Sequence, residues 1–384
     1  MANNFTAILP TIYRAADTVS REFIGFIGGA FRNSSAAGAA KDQTITYDVV
    51  PTMAAGDVSA SNVLPAGTDQ TIGSGTMTIS KSRSVSWPST GEEQLGMRNG
   101  DQPLGSSILQ RQFEQAFRTL ANELESDAWL AAYKGSSRAY GTAGTTPFGT
   151  AADLTDFSKV AEILDQNGAP PLDRHLVLGS AAMSNLRGKQ SVLFKVNEAG
   201  TEELLRKGMI DEVMGFGIHN SYPIGAHTKG TGAGYLINMA GTLLVGGTDV
   251  TVDTGAGTIL AGDLVTFAGT TDKYVVNSAL AANVFSIGKP GSLAIEADND
   301  AVTVGNNYTP NVAFHRDAFH IITRTPAMPE GGDAADDVTE IVDARSGLAF
   351  QIAIYRERRQ VVYEVGLAWG VKAVKPAHIA TLIG

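Results

Sequence analysis

The stretch SSILQRQFEQAFRTLANELESDAWLAAYK, Ser106–Lys134, decides how the rest of the chain is organised. Leu109, Phe113, Ala116, Phe117, Leu120, Leu124 and Ala128 recur at intervals of three and four, so they form one stripe of a helix with a 3.6-residue period. Arg111, Glu114, Arg118, Glu123, Glu125 and Asp127 fall on the other faces. Pro103, Gly105 and Ser106 signal the start, and Gly135 with two serines after it signals the stop. Such a helix is roughly 40 Å long, more than an ordinary globular helix spans. A strut with a single apolar stripe must lie along something extended, and the β-rich segments on either side supply it.

Working outward, 384 residues suffice for two or three domains with real cores. A hydrophobic content of 43% is that of a globular chain, not a disordered one. The net charge of −10 argues against a sequence-reading nucleic-acid binder, because phosphate contacts need clustered Lys and Arg. It is compatible with a surface that merely surrounds nucleic acid. With no cysteine, disulfides, thiolate nucleophiles and thiolate metal sites are all excluded. Met1 to Pro10 lacks a signal-peptide pattern, and the apolar run Phe23 to Phe31 is too short to span a bilayer, so no membrane partner is expected.

Pro10 to Asn33 is predicted as an amphipathic helical arm with Ile12, Ala16, Val19, Phe23 and Ile27 on one face and a frayed end at Gly25, Gly28 and Gly29. Thr44 to Val50 alternates as a half-buried strand, residues 51–75 are loop-like, and Thr76 to Trp87 alternates again. Met77, Ile79, Val85 and Trp87 share a face there, with Lys81 and Arg83 in the same register. The resulting excursion, about 45 to 90, has little apolar content, and a hairpin that buries no face of its own is marginal in water. It is expected to lie on a neighbouring molecule. Lys81, Arg83, Met77, Trp87, Glu92 and Glu93 are the candidate subunit-contact residues. The two cations are expected to meet acids on an adjacent subunit, near Glu92, Glu93 or the acidic loop at 333–340.

Beyond the long helix the pattern is α/β. Thr155 is predicted to cap a helix over Asp156 to Gln166, followed by a strand at His175 to Leu178 and helices at Ser180 to Arg187 and Thr201 to Lys207. Composition shifts at Gly241: to Pro310 there are seven acidic and two basic residues, with recurrent turn signals between short β-branched runs. This predicts a small all-β module that carries half of the net charge. Ala327 to Asp337 is an acidic loop, and Ala349 to Tyr355, Gln360 to Val365 and Val371 to Val374 are strands.

Chemistry is sparse. Gly255 and Gly257 are followed by strand-type residues where a dinucleotide fold needs a helix, and Met183 stands where a phosphate loop ending in Gly188 and Lys189 needs its first glycine. No serine lies in a nucleophile-elbow pentapeptide. His315 and Asp317 would share a strand face that His320 does not, which disfavours a metal site, and the pairs Glu92 with Glu93 and Asp298 with Asp300 read as solvated turn charges. No catalytic residue, cofactor or metal is expected.

Three stretches carry a resemblance: TEELLRKGMIDEVMGFGIHNSYPIG at Thr201–Gly225, NVAFHRDAFHIITRTP at Asn311–Pro326, and QVVYEVGLAWGVKAVKPAHIATL at Gln360–Leu382. In the last, a strand bearing Glu364 leads into a strand ended by Lys375, Pro376 and Ala377. Together with the order of elements, these resemble the major capsid proteins of tailed bacteriophages, the Hong Kong 97 fold. The likeness is particularly to short-tailed Salmonella-type coat proteins, which carry an inserted β-barrel-like domain where the acidic module sits.

The resemblance implies an α+β fold with an N-terminal arm at 1–44 and an extended loop at 45–91. It implies a peripheral domain at 92–150 and 335–366 containing the spine helix 106–134. The axial domain would be 151–240, 311–334 and 367–384, with the inserted domain at 241–310. It further implies a virion shell of hexamers and pentamers around double-stranded DNA, assembled in the host cytoplasm, with portal and possible decoration proteins as partners. Few residues precede the extended loop, so a separate scaffolding protein is expected. Some relatives crosslink a loop lysine to an asparagine near the chain end; Lys81 could serve, but no Asn follows Asn311, so no such crosslink is expected. The alternatives are a nanocompartment shell of the same fold and, from a different class, an α/β hydrolase, which the empty motif search disfavours.

Overall fold

A computed structural model describes residues 9–22, 25–49, 72–99, 102–189, 210–239, 242–343 and 346–384. Of the predicted loop at 51–75, residues 51–71 lie outside the described residues and the last three belong to the strand Gly73–Thr78; the helix predicted at Thr201 to Lys207 also lies outside the described residues. The long helix runs over Gln102–Lys134, 33 residues, starting four residues earlier than the sequence signals placed it. At 1.5 Å per residue it is about 50 Å long. Its stripe is buried from Phe113 through Leu124 to Ala128 and on to Ala132 and Tyr133. The stop is steric as well as conformational, because a Cβ on Gly135 would lie 2.4 Å from the Cβ of Ala373.

Two extended surfaces lie along this strut. One is a six-stranded sheet in which Phe31–Ala39, Phe319–Pro326, Gln360–Ala373, Ala349–Glu357 and Asp337–Val342 follow one another, with Lys81–Thr90 also paired to Gln360–Ala373. Strand alternation sends Phe319, Ile321, Ile352, Ile354, Val365, Leu367 and Trp369 into the same core as the helix stripe. Leu9–Glu22 packs on the helix from outside the sheet through Ile12, Ala15, Ala16 and Val19. The arm therefore ends as a helix eleven residues earlier than the pattern to Asn33 implied: after one short turn, Phe26–Gly29, the chain becomes a strand parallel to Phe319–Pro326. Gly25 precedes the short turn, Gly29 ends it, and the Phe31 ring lies tilted against His320 across the new pairing.

The second surface is the α/β part. Arg138–Gly141, Ile379–Ile383, Pro310–His315, Arg174–Leu178, Phe216–Asn220 and Glu212–Val213 form consecutive strands. Val177, Val312, Phe314 and Ile379 face the long helix, while Leu176, Leu178, Ala313, Ala380 and Leu382 face the helices Thr155–Gln166 and Ser180–Lys189. Thr155 is the first helical residue and not its cap; its amide donates to Asp153 Oδ1 at 2.9 Å.

Past Arg138–Gly141 the same sheet continues into a ring: Lys273–Ala281, Val284–Ile287, Asp249–Asp253, Tyr235–Ile237, Ala301–Val304 and Leu264–Phe267, which pairs back to Lys273–Ala281. This is a closed six-stranded barrel, so none of its strands is left as a bare edge. Tyr235, Ile237, Val250, Val252, Val265, Phe267, Phe285 and Ile287 fill its interior. The ring takes in Tyr235–Ile237, which the composition shift at 241 leaves out: that strand is apolar and carries none of the acidic signature.

Candidate subunit-contact site at the root of the hairpin

Thr44–Val49 and Gly73–Thr78 form a two-stranded antiparallel ladder, from Thr44 opposite Thr78 to Val49 opposite Gly73. On Gly73–Thr78 only Met77 is buried, so the ladder has no core of its own. Met77 belongs instead to a small cluster with Ala39, Ile79, Ile322 and Ala368 on the large sheet. The single strand expected from Thr76 to Trp87 is broken at Ile79 and Ser80, whose amides donate to Gln43 and Trp369 carbonyls. The crossing is tight enough that a Cβ on Gly370 would sit 2.1 Å from the Thr78 carbonyl oxygen.

Past this break, Lys81–Thr90 runs along the large sheet, with Lys81 opposite Trp369 and Thr90 opposite Gln360. Lys81 Nζ lies 2.9 Å from Asp127 Oδ1 and 3.0 Å from Glu123 Oε1, and Arg83 Nε lies 3.2 Å from the same Glu123 oxygen. The expectation of acids on an adjacent subunit is thus corrected. Both cations have their partners within the chain, on successive turns of the long helix, where residues four apart share a face. Desolvation opposes the Lys81 charge, but the hydrogen bonds to Asp127 and Glu123 outweigh it and raise its pKa. The second Asp127 oxygen accepts the indole N–H of buried Trp369 at 2.9 Å, and Lys81 Nζ sits 5.9 Å from the centre of that ring.

The remaining candidates also have local roles. Trp87 stacks edge-on to Phe113 of the long helix, with centroids 4.9 Å apart, and beside Tyr363 at 5.8 Å. Glu93 and Thr90 form a capping box at the start of Gly91–Asn99: the Thr90 amide donates to Glu93 Oε2 at 2.9 Å and the Glu93 amide to Thr90 Oγ1 at 3.3 Å. Glu92 is exposed one residue before it. His315 and His320 converge on the backbone of Asp317, the first accepting its amide and the second donating to its carbonyl. Among the described residues, no group of three or more His, Cys, Asp or Glu side chains could hold a metal ion.

No protein-family model matches the chain, and no curated protein matches it. Among solved structures it is similar to one from Mycobacterium phage Che8, 13% identical with a TM-score of 0.44, over 89% of this chain and 85% of that one. It is also similar to the capsid structure of cyanophage P-SCSP1u, 9% identical with a TM-score of 0.49, over 92% and 86% of the two chains. A virus-like particle from Pyrococcus furiosus is 10% identical with a TM-score of 0.41, over 97% of each chain.

Two buried polar centres were not legible in the sequence. Glu125, which helical periodicity puts off the apolar stripe, is 2% exposed. Its carboxylate accepts the amides of Phe26 at 2.6 Å and Ile27 at 3.1 Å and the Ser221 hydroxyl at 2.7 Å, joining the arm, the strut and the α/β unit. Burial pushes its pKa up, against the pull of those three donors. The other centre closes the neck of the barrel, where His227 and Tyr308 form a bridge. Asp263, fully buried, accepts His227 Nε2 at 2.8 Å and the amides of Gly230 and Leu260, while His227 Nδ1 meets Tyr133 Oη of the long helix at 3.2 Å. Burial, with Asp263 nearby, pushes Tyr133 up to about 12. Neither centre has a catalytic-motif spacing, because their partners are brought together only by the tertiary fold.

Proposed function

We propose that the chain is a shell-forming coat protein, the major capsid protein of a tailed phage, assembling with copies of itself into a closed icosahedral head around double-stranded DNA. The observation that carries this reading is the hairpin: a two-stranded ladder without a core of its own, seated at its root on the large sheet by Met77 and tied to the stiff helix by Lys81 and Arg83. A self-sufficient enzyme gains nothing from such a projection, whereas a lattice subunit uses it to reach a neighbour. The chain's acidity favours mobile over adherent packaged DNA. No described helix is long and apolar enough to cross a membrane.

On this reading the arm is residues 1–44, the extended loop 45–91, the peripheral domain 92–150 with 335–366, and the axial domain the remainder around the barrel. A separate scaffolding protein, a portal and a decoration protein are the partners that would complete a head, and the virion is its location. The interface roles of Lys81 and Arg83 become indirect: they orient the hairpin whose far part makes the contact. The test is to delete residues 54–67, which connect the two strands in sequence, and replace them with a Gly-Ser bridge. The parent should sediment as large particles and the deletion as folded, unassembled subunits; particles of normal size from the deletion would refute the reading.

A further inference from the structure

The ion pairs of Lys81 and Arg83 fix the strand that follows the hairpin, and the hairpin itself has a separate seat on the large sheet. Phe31, His320 and Lys372 stand opposite one another on three neighbouring strands, so they form one row across the sheet. Ile322 shares the parity of His320 and belongs to the small cluster under the hairpin, whereas Ile321 belongs to the core on the long helix. The row is therefore on the hairpin face.

Tyr47 lies over this row. Its ring centre is 5.8 Å from that of His320, which is itself 4.6 Å from that of Phe31. Lys372 Nζ lies 5.8 Å from the centre of the Tyr47 ring and donates to the Thr76 carbonyl of the other hairpin strand at 2.7 Å. One lysine thus holds both strands of the ladder, the first by a cation–π contact and the second by a charge-assisted hydrogen bond. The hairpin leaves space for the ring: Gly75 is opposite Tyr47, and a Cβ there would lie 2.1 Å from Tyr47 Cζ. A methyl group at 75 would push the ring aside without touching the backbone of either strand.

With no core of its own, the ladder takes its direction from such contacts at the root. At about 3.4 Å per residue it is about 17 Å long from Thr44 to Val49, so a swing of about 10° at the root moves its far end by about 3 Å. That displacement is enough to break side-chain contacts, which form only within about 4.5 Å. We propose that Tyr47, seated on His320 and Lys372 in the space left by Gly75, is a positioning residue that fixes the angle of the hairpin, and that this angle decides whether neighbouring subunits close into a shell. The second half rests on the coat-protein reading, and the first does not.

The chain has no cysteine, so two introduced ones can be spin-labelled selectively. Asp48→Cys, one residue from Tyr47 and on the other face of its strand, and Thr119→Cys on the long helix are exposed sites that report the angle as a distance in the full unassembled chain. The doubly labelled parent should give one narrow distance distribution, and Tyr47→Phe, which keeps the ring, should reproduce it. Tyr47→Ala, Lys372→Met and Gly75→Ala should each lose the narrow peak while leaving the urea midpoint near the parent value, since none of the three positions is fully buried. In assembly, those three should give open or irregular particles where Tyr47→Phe gives closed ones. Parent-like narrow distances in Tyr47→Ala and Gly75→Ala would overturn the positioning role. Lost peaks together with normal closed shells would overturn the link to closure. A parent that forms no shells would refute the coat-protein reading alone, and the distances would still decide the role of Tyr47.

Discussion

Asp127 links Lys81 to Trp369: one carboxylate oxygen lies 2.9 Å from Lys81 Nζ and the other accepts the Trp369 indole N–H at 2.9 Å. One helical side chain therefore fixes both the root of the hairpin and the centre of the long strand Gln360–Ala373. The two halves of this contact differ in energy. Lys81 is about a third exposed, so its pair with Asp127 is worth about 0.2–1 kcal/mol after solvent screening. Trp369 is fully buried, and stranding its N–H costs about 1–3 kcal/mol. Asp127→Ala should accordingly destabilise the subunit several times more than Lys81→Met, measured as a shift in urea midpoint. Equal effects would mean that the ion pair, not the indole, is the dominant half.

Glu125 should impose a pH dependence of defined sign. Its folded pKa lies above the ordinary 4.5, so between those two values the folded chain holds a proton that the unfolded chain has released. Stability therefore falls as pH rises through that window, and below it no further change arises from this group. Relative to Glu125→Gln, which does not titrate, the parent should gain stability as pH is lowered from about 8 towards 4.5. Urea midpoints of the two proteins across that range check this; a constant offset would contradict it. Glu125→Ala, which strands two amides and a hydroxyl, should cost on the order of 3 kcal/mol at the acid end of the range and less as pH rises.

Asp263 accepts four hydrogen bonds in the barrel neck, two of them from the Gly230 amide to its two oxygens. Asp263→Ala should cost roughly 3–5 kcal/mol, because it strands the His227 ring and two backbone amides in a dry site. The loss should appear as early proteolytic cleavage between Tyr133 and the barrel, ahead of global unfolding. His227→Gln, which retains a donor towards Asp263, should be milder, and the order of the two variants is the check.

The parts legible in the sequence are those that local periodicity controls. The stripe Phe113, Phe117, Leu120 and Leu124 announced the long helix, and alternation around Tyr47 and Met77 announced the hairpin. Charge partners were not legible, since Lys81 pairs with Asp127 across 46 positions and nothing local selects that acid over Glu92 or Glu93. Glu125 was hidden for a similar reason. Periodicity assigns a face, but whether that face meets solvent depends on the arm folding back over it at Phe26 and Ile27. The apolar spacing overextends the arm because Ile27 and Phe31 continue it, whereas Phe31 already belongs to a strand paired with a segment about 290 positions away. Barrel closure was also invisible, because pairing of Leu264 with Val275 and of Val252 with Ile237 is a matter of register between distant segments.

That closure changes what an excised module must contain. A fragment of residues 241–310 lacks Tyr235–Ile237, which pairs on both sides, with Asp249–Asp253 and with Ala301–Val304. It should give a random-coil spectrum, whereas residues 228–309 should show dispersed β-type amide signals and a cooperative thermal transition. A cooperative transition from the shorter fragment would mean that the ring closes without its apolar strand.

Electron microscopy of the expressed full chain, alone and with a scaffolding partner, is the most direct test of the coat-protein account. Closed, uniform icosahedral shells, with the hairpin 44–78 of each subunit lying over its neighbour and Lys81 still paired to Asp127 inside the subunit, are the expected result. Dispersed monomers or small oligomers under both conditions would contradict it.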